Sequence, residues 1–166
     1  CVSNPPKGYG GGMYNSGGTP NITNSIVWGN KISCNLNYTS VWNKDDASPV
    51  FSYSNIEGSG GSEAWVDLIG VNGTQNIDED PLFVRQPVII TQPQVLPISD
   101  GNFRLLDGSP SIDAGNNDAI QEPLDLDGKE RIEDDNRDGN PVVDMGAYEG
   151  WEEPYPSEIW KVRPDA

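Results

Sequence analysis

Two segments of this chain repeat one frame. Pro20-Asn-Ile-Thr-Asn-Ser-Ile-Val-Trp-Gly29 and Pro49-Val-Phe-Ser-Tyr-Ser-Asn-Ile-Glu-Gly58 share Pro-x-apolar-[Ser/Thr]-x-Ser-x-apolar-x-Gly at an offset of 29 residues. Apolar positions alternate with polar ones and a glycine closes each copy, which is strand chemistry ended by a turn. An offset of about 20–30 residues suits one coil of a solenoid, whose strands stack in parallel on the preceding coil. Two unrelated strands of similar composition would give the same match.

The rest of the chain reads the same way. Gly8-Tyr-Gly-Gly-Gly-Met-Tyr-Asn15 supplies backbone freedom for a corner, with Met13 and Tyr14 expected to point inward. Residues 59–80 read as a Gly/Ser/Asp-rich loop carrying Trp65, Val66, Leu68 and Ile69. Strand-prone runs follow at Asp80-Pro-Leu-Phe-Val84, Val88-Ile-Ile-Thr91 and Gly101-Asn-Phe-Arg-Leu-Leu106, and Ser109–Gly115 reads as strand then turn. Prolines at 81, 87, 93 and 97 exclude a helix there. The expected class is all-β.

Only 34% of residues are hydrophobic and the net charge is −16, a balance that raises the question of disorder. Patterned Trp, Tyr, Ile and Val residues argue instead for a loop-rich folded domain. So acidic a surface repels phosphate backbones and anionic lipid, which excludes nucleic acid as a partner, and favours cations. The chain has no histidine, so it lacks the commonest general base and the commonest transition-metal ligand. Zinc, copper and Ser-His-Asp chemistry fall away; oxygen-ligand metals, calcium above all, remain.

No apolar run approaches the ~20 residues that span a bilayer, so direct membrane insertion is not expected. Without a signal peptide, the chain is expected to start after processing or a cut. Cys1 and Cys34 permit one disulfide; equally, Cys34 is a buried free thiol, or Cys1 is the acylated first residue of a lipoprotein.

Between Gly108 and Glu149 the acids crowd together. Asp134-Asp-Asn-Arg-Asp138-Gly-Asn140 fits the opening of a calcium loop, D-x-[DN]-x-[DN]-G. Oxygens of Asp134, Asn136 and Asp138 can converge on one ion, and the Asn140 carbonyl would follow. The acid usual at position twelve is missing, since Met145 stands there; Asp144, one residue earlier, is the expected substitute. Asp125 and Asp127 form a second, shorter cluster that shares one side if extended. A divalent ion would relieve their mutual repulsion. Exposed turn acids balanced by Lys129, Arg131 and Arg137 are the simpler alternative. Asp113 reads as a turn former bonding nearby N–H groups, Asp80 as the start of a strand, and Glu149 and Tyr148 as closing the last coil, with Tyr148 buried. Five tryptophans offer faces for sugar rings, and Trp42 and Trp65 are the candidates, Trp42 being the one expected exposed.

At this point the residues carry a resemblance. GGGMYN…PNITNSIVWGN resembles a coil of secreted bacterial right-handed parallel β-helix proteins. DEDPLFV…GNFRLLDGSPSIDAGNN…DLDGKERI…VDMGAYE is similar, in order, to the C-terminal end of β-helix proteins with varied surface anchors, the choice-of-anchor domains; the match spans most of residues 8–149. It implies terminal β-helix coils over 1–104, a loop-rich acidic calcium-binding cap over 105–150, and a C-terminal extension over 151–166. It also implies an extracellular or cell-surface protein but no single activity; a structural or adhesive segment is the expected role. The implied partners are upstream coils of the same or a neighbouring chain, extracellular polysaccharide, or a surface protein. Such β-helices include polysaccharide lyases, whose Lys or Arg base works beside calcium, so a carbohydrate-active segment is the alternative. Catalysis in this chain is left open, with the balance against it.

Overall fold

A computed structural model of the chain describes residues 11–30, 40–86 and 101–152. Cys1, Cys34, Gly8, Val88–Thr91 and Trp160 lie outside them. Among the described residues there is strand, turn and loop but no α-helix; the helical pieces are two 3-10 turns, Asp67–Ile69 and Asn117–Ala119. The class is all-β. No helix of the described residues is long and apolar enough to cross a membrane.

The strands are short and their sheets small. β1 (Met13–Ser16) pairs in parallel with β4 (Val41–Lys44). β2 (Asn21–Thr23), β5 (Val50–Ser52) and β7 (Val71–Thr74) form a parallel sheet in that order. β3 (Ile26–Val27) pairs in parallel with β6 (Asn55–Ile56). The repeated frame sets this register: Asn21 faces Val50 and Ile26 faces Asn55, each 29 positions on.

The repeat also encodes a corner. After β2, β5 and β7 the chain turns through Asn24, Tyr53 and Gln75, all left-handed with φ of 52°, 49° and 53°. The residue that follows each turn carries a polar side chain, and the three stack. The Ser25 amide donates to Ser54 Oγ at 3.3 Å, and the Ser54 amide donates to Asn76 Oδ1 at 3.1 Å. Ser25 and Ser54 hydroxyls donate to the Thr23 and Ser52 carbonyls two residues back. Ser54 and Asn76 are buried, so their partners matter: an unpaired buried polar group costs about 1–3 kcal/mol.

Alternation supplies the core beside this stack. Val27, Val41, Phe51, Ile56 and Ile69 are buried together, with Met13, Ile22, Trp65 and Val66 packed against them. Full burial of a side chain such as Phe51 contributes roughly 1.5–3 kcal/mol. Met13 points inward as expected, whereas Tyr14, its neighbour on the strand, is 47% exposed. The loop expected over 59–80 contains both a 3-10 turn and β7. β7 was hidden because Gly73 adds a residue and shifts its register on β5. A Cβ at Gly73 would lie 2.1 Å from Ser52 Oγ, so only glycine fits.

The remaining described residues form a second region. β9 (Asn102–Leu106) is the central strand between antiparallel β8 (Phe83–Arg85) and parallel β10 (Trp151–Glu152). It runs across the 104/105 junction at which the cap was expected to begin. Ser109–Gly115 folds as turns rather than a strand. Side chains tie this region to the stacked strands. Asn24 and Asn116 exchange two hydrogen bonds, the Gly146 amide donates to the Asn24 carbonyl, and buried Asn55 donates to Ser111 Oγ at 3.0 Å.

Candidate cation centre

The segment 134–140 folds around its own acids. Asp134 accepts from the Asp138 and Gly139 amides, Asn136 from the Asp138 amide, and Asp138 from the Asn140 amide, each at 2.9 Å. Gly139, at φ 90°, makes the turn.

Asp135 meets two other acids. Asp113, Asp135 and Asp144 each offer a carboxylate oxygen within 4.8 Å of the others. Asp113 is left-handed, with φ 49°, and its carboxylate accepts from the Asn136 amide at 2.6 Å and the Asp135 amide at 3.4 Å. It does bond N–H groups, but of a distant loop rather than nearby ones. The Asp113 amide in turn donates to Asp144 Oδ1 at 2.7 Å, and the Gly150 amide donates to Asp144 Oδ2 at 2.9 Å. Asp144 is fully buried between core residues Val143 and Met145. Met145, at the loop position where an acid is usual, is 1% exposed and belongs to the interior.

A fourth acid sits behind the three. Glu149 is 1% exposed, accepts from the Asp144 amide at 3.0 Å, and lies 3.3 Å from Arg131 Nε. Arg131 also donates to the Asp144 and Gly146 carbonyls, and Lys129 Nζ donates to the Glu149 carbonyl. Tyr148 is only half-buried; Glu149 takes the interior position expected of it.

This crowding sets the charge states. Burial pushes the Asp144 carboxyl up to about 7, against its bonds to the Asp113 and Gly150 amides and with the charge of Asp135. Burial, then the charge of Asp144, pushes Glu149 up to about 8. Asp135 is raised by burial and by Asp113. Its Oδ2 is buried with no hydrogen-bond donor. A buried carboxylate oxygen beside two other carboxylates calls for a proton or a cation. Three all-oxygen ligands suit a hard divalent ion.

Of the expected ligands, the structure brings only Asp144 into this cluster. Asp134, Asn136, Asp138 and Asn140 occupy the adjoining loop. Asp125 and Asp127 stand elsewhere. Asp125 accepts from the Asp127, Lys129 and Glu149 amides, all at 2.8 Å. Asp127 takes both Nε and a terminal nitrogen of Arg104, which holds its carboxyl below the usual range. Asp113, Asp135 and Glu149 were missed. None of the three carries a local signal, since their roles depend on long-range packing.

Trp42 lies on β4 opposite Tyr14 and is half-buried rather than exposed. Trp65 packs on Phe51 with ring centroids 6.1 Å apart, and its Nε1 donates to the Gly70 carbonyl at 2.7 Å. Asp80 forms a turn, accepting from the Leu82 amide at 2.9 Å, and the strand begins later, at Phe83. No family model, curated protein or solved structure matches this chain.

Proposed function

We propose that this chain is a non-catalytic structural segment of an extracellular or cell-surface right-handed parallel β-helix, closed by an acidic region that a calcium ion stabilises. The observation that carries this reading is how the acids of 113–149 are used. Asp113, Asp125, Asp134, Asp144 and Glu149 all accept backbone amides, three of them from distant loops, so these side chains hold the chain together rather than face a substrate. The coil reading is supported by the 29-residue register of β2 on β5 and by the left-handed corner repeated after β2, β5 and β7. Calcium is supported by the Asp113, Asp135 and Asp144 oxygens and by the donorless Asp135 Oδ2. Bound there, calcium would offset the repulsion among the three carboxylates.

The test is thermal unfolding in calcium and in EDTA, for wild type, Asp135→Asn and Asp138→Asn. Calcium is expected to raise the Tm of wild type and of Asp138→Asn but not of Asp135→Asn. A wild-type Tm indifferent to calcium sinks the cation reading. A response lost only in Asp138→Asn moves the ion to the 134–140 loop. Ultraviolet absorbance by unsaturated product from an anionic polysaccharide would replace the scaffold reading with a lyase.

A further inference from the structure

We infer that the groove beside Trp151 is a binding site for a pyranose ring of a neutral polysaccharide. The groove has a volume of about 470 Å³, and its lining includes Asp107, Ser109, Asp135, Asn136, Arg137 and Trp151. That volume lies in the range of about 300–1,000 Å³ usual for small-ligand sites.

Ser109 is spent on the Pro81 carbonyl and the Ser111 amide, but three other polar groups keep capacity for a ligand. Asp107 is exposed and its carboxylate accepts no hydrogen bond among the described residues. Asn136 uses its side-chain oxygen on the Asp138 amide, which leaves its amide nitrogen to donate outward. Arg137 is exposed, left-handed at φ 62°, and its guanidinium stands 6.0 Å from the Trp151 ring centre. With the exposed Arg137 side chain swung off the indole, an aromatic wall, one carboxylate acceptor and two N–H donors together match a sugar ring. Its C–H face packs on an indole, and its hydroxyls both donate and accept.

The contrast with Trp65 locates the site. Trp65 donates its indole N–H inward and packs against the core, while Trp151, on edge strand β10, lines the groove. Charge selects the class of sugar. Two carboxylates and one guanidinium line the groove on a chain of net charge −16, so an anionic uronate is repelled. This inference goes beyond the cation reading and does not require it, although Asp135 borders both sites.

The experiment is calorimetric titration of the whole chain, in EDTA, with cellohexaose, mannohexaose and xylohexaose, and with hexagalacturonate as the anionic control. At least one neutral hexasaccharide is expected to bind. Trp151→Ala should weaken it about tenfold or more, Asp107→Ala less, and Trp65→Ala not at all. Asp107 and Arg137 are exposed, so Asp107→Ala and Arg137→Ala test the groove if Trp151→Ala unfolds. The site is refuted if no neutral hexasaccharide binds at millimolar concentration, or if only hexagalacturonate does. It is equally refuted if Trp65→Ala rather than the groove variants abolishes binding. A Tm insensitive to calcium would end the cation reading and leave this result standing.

Discussion

The stacked strands β1 to β7 and the acidic loops of residues 107–150 both bury polar groups, but in different chemical states. In and around the strands the buried polar residues are neutral: Ser40, Ser54, Asn55, Ser59 and Asn76. Each can be satisfied by backbone groups, and Asn76 bonds the Phe51 carbonyl, Asn72 and the Ser54 amide. In the loops the buried polar residues include Asp144 and Glu149, which can ionise. The neutral amides and hydroxyls buried in the first region do not titrate, and its bonded carboxylates, Asp45, Glu57 and Asp78, are not buried. Carboxyls tie the second to whatever proton or cation is at hand. One chain thus combines a region whose buried polar groups cannot ionise with one whose buried polar groups can.

The largest expected effect breaks the first region. Phe51→Ala removes the centre of its apolar cluster and should cost about 3–5 kcal/mol, by the precedent of buried aromatic truncations. Denaturant unfolding should give the same loss in calcium and in EDTA. A loss that depends on calcium would erase the distinction between the regions. A smaller effect probes the corner stack. Asn76→Ala strands the Ser54 amide and the Phe51 carbonyl and should cost about 2 kcal/mol, unchanged between pH 5 and pH 8. The pH midpoints of its unfolding curves check the neutral character claimed for this stack.

The two regions were unequally legible in the sequence. Pro20–Gly29 and Pro49–Gly58 announced their strands and their register, because one backbone conformation repeated makes one sequence frame repeated. The third strand escaped because Asn76 stands where serine stood and Gly73 inserts a residue. In the acidic region the motif at Asp134–Asn140 was read as a converging ligand set, and its loop geometry is present. The buried cluster was not legible, because Asp113, Asp135 and Asp144 come from three loops separated along the chain and brought together by packing. Asp134, Asn136 and Asp138 accept amides of their own loop, while Asp135 meets Asp113 and Asp144. The gap at position twelve also had a structural reason: Met145 is core, and Asp144 beside it is the acid turned toward the cluster.

The central claim is that the acidic region holds either protons or a cation. Asp144 and Glu149 have ordinary carboxyl values of 3.8 and 4.5, raised in the fold to about 7 and about 8. The folded chain therefore binds more protons than the unfolded one between those values. Without a cation, stability is greatest near the acid end of this window and falls as pH rises through the folded values. Calcium needs the ionised acids, so its contribution runs the other way. At a dissociation constant of about 0.1 mM, 1 mM calcium stabilises by about 1.4 kcal/mol. The direct measurement is Tm in EDTA and in 1 mM calcium at pH 5 and at pH 8. The account predicts a lower Tm at pH 8 than at pH 5 in EDTA, with calcium restoring about 3–5 °C at pH 8 and nothing at pH 5. Equal Tm values with and without calcium at pH 8 would contradict it.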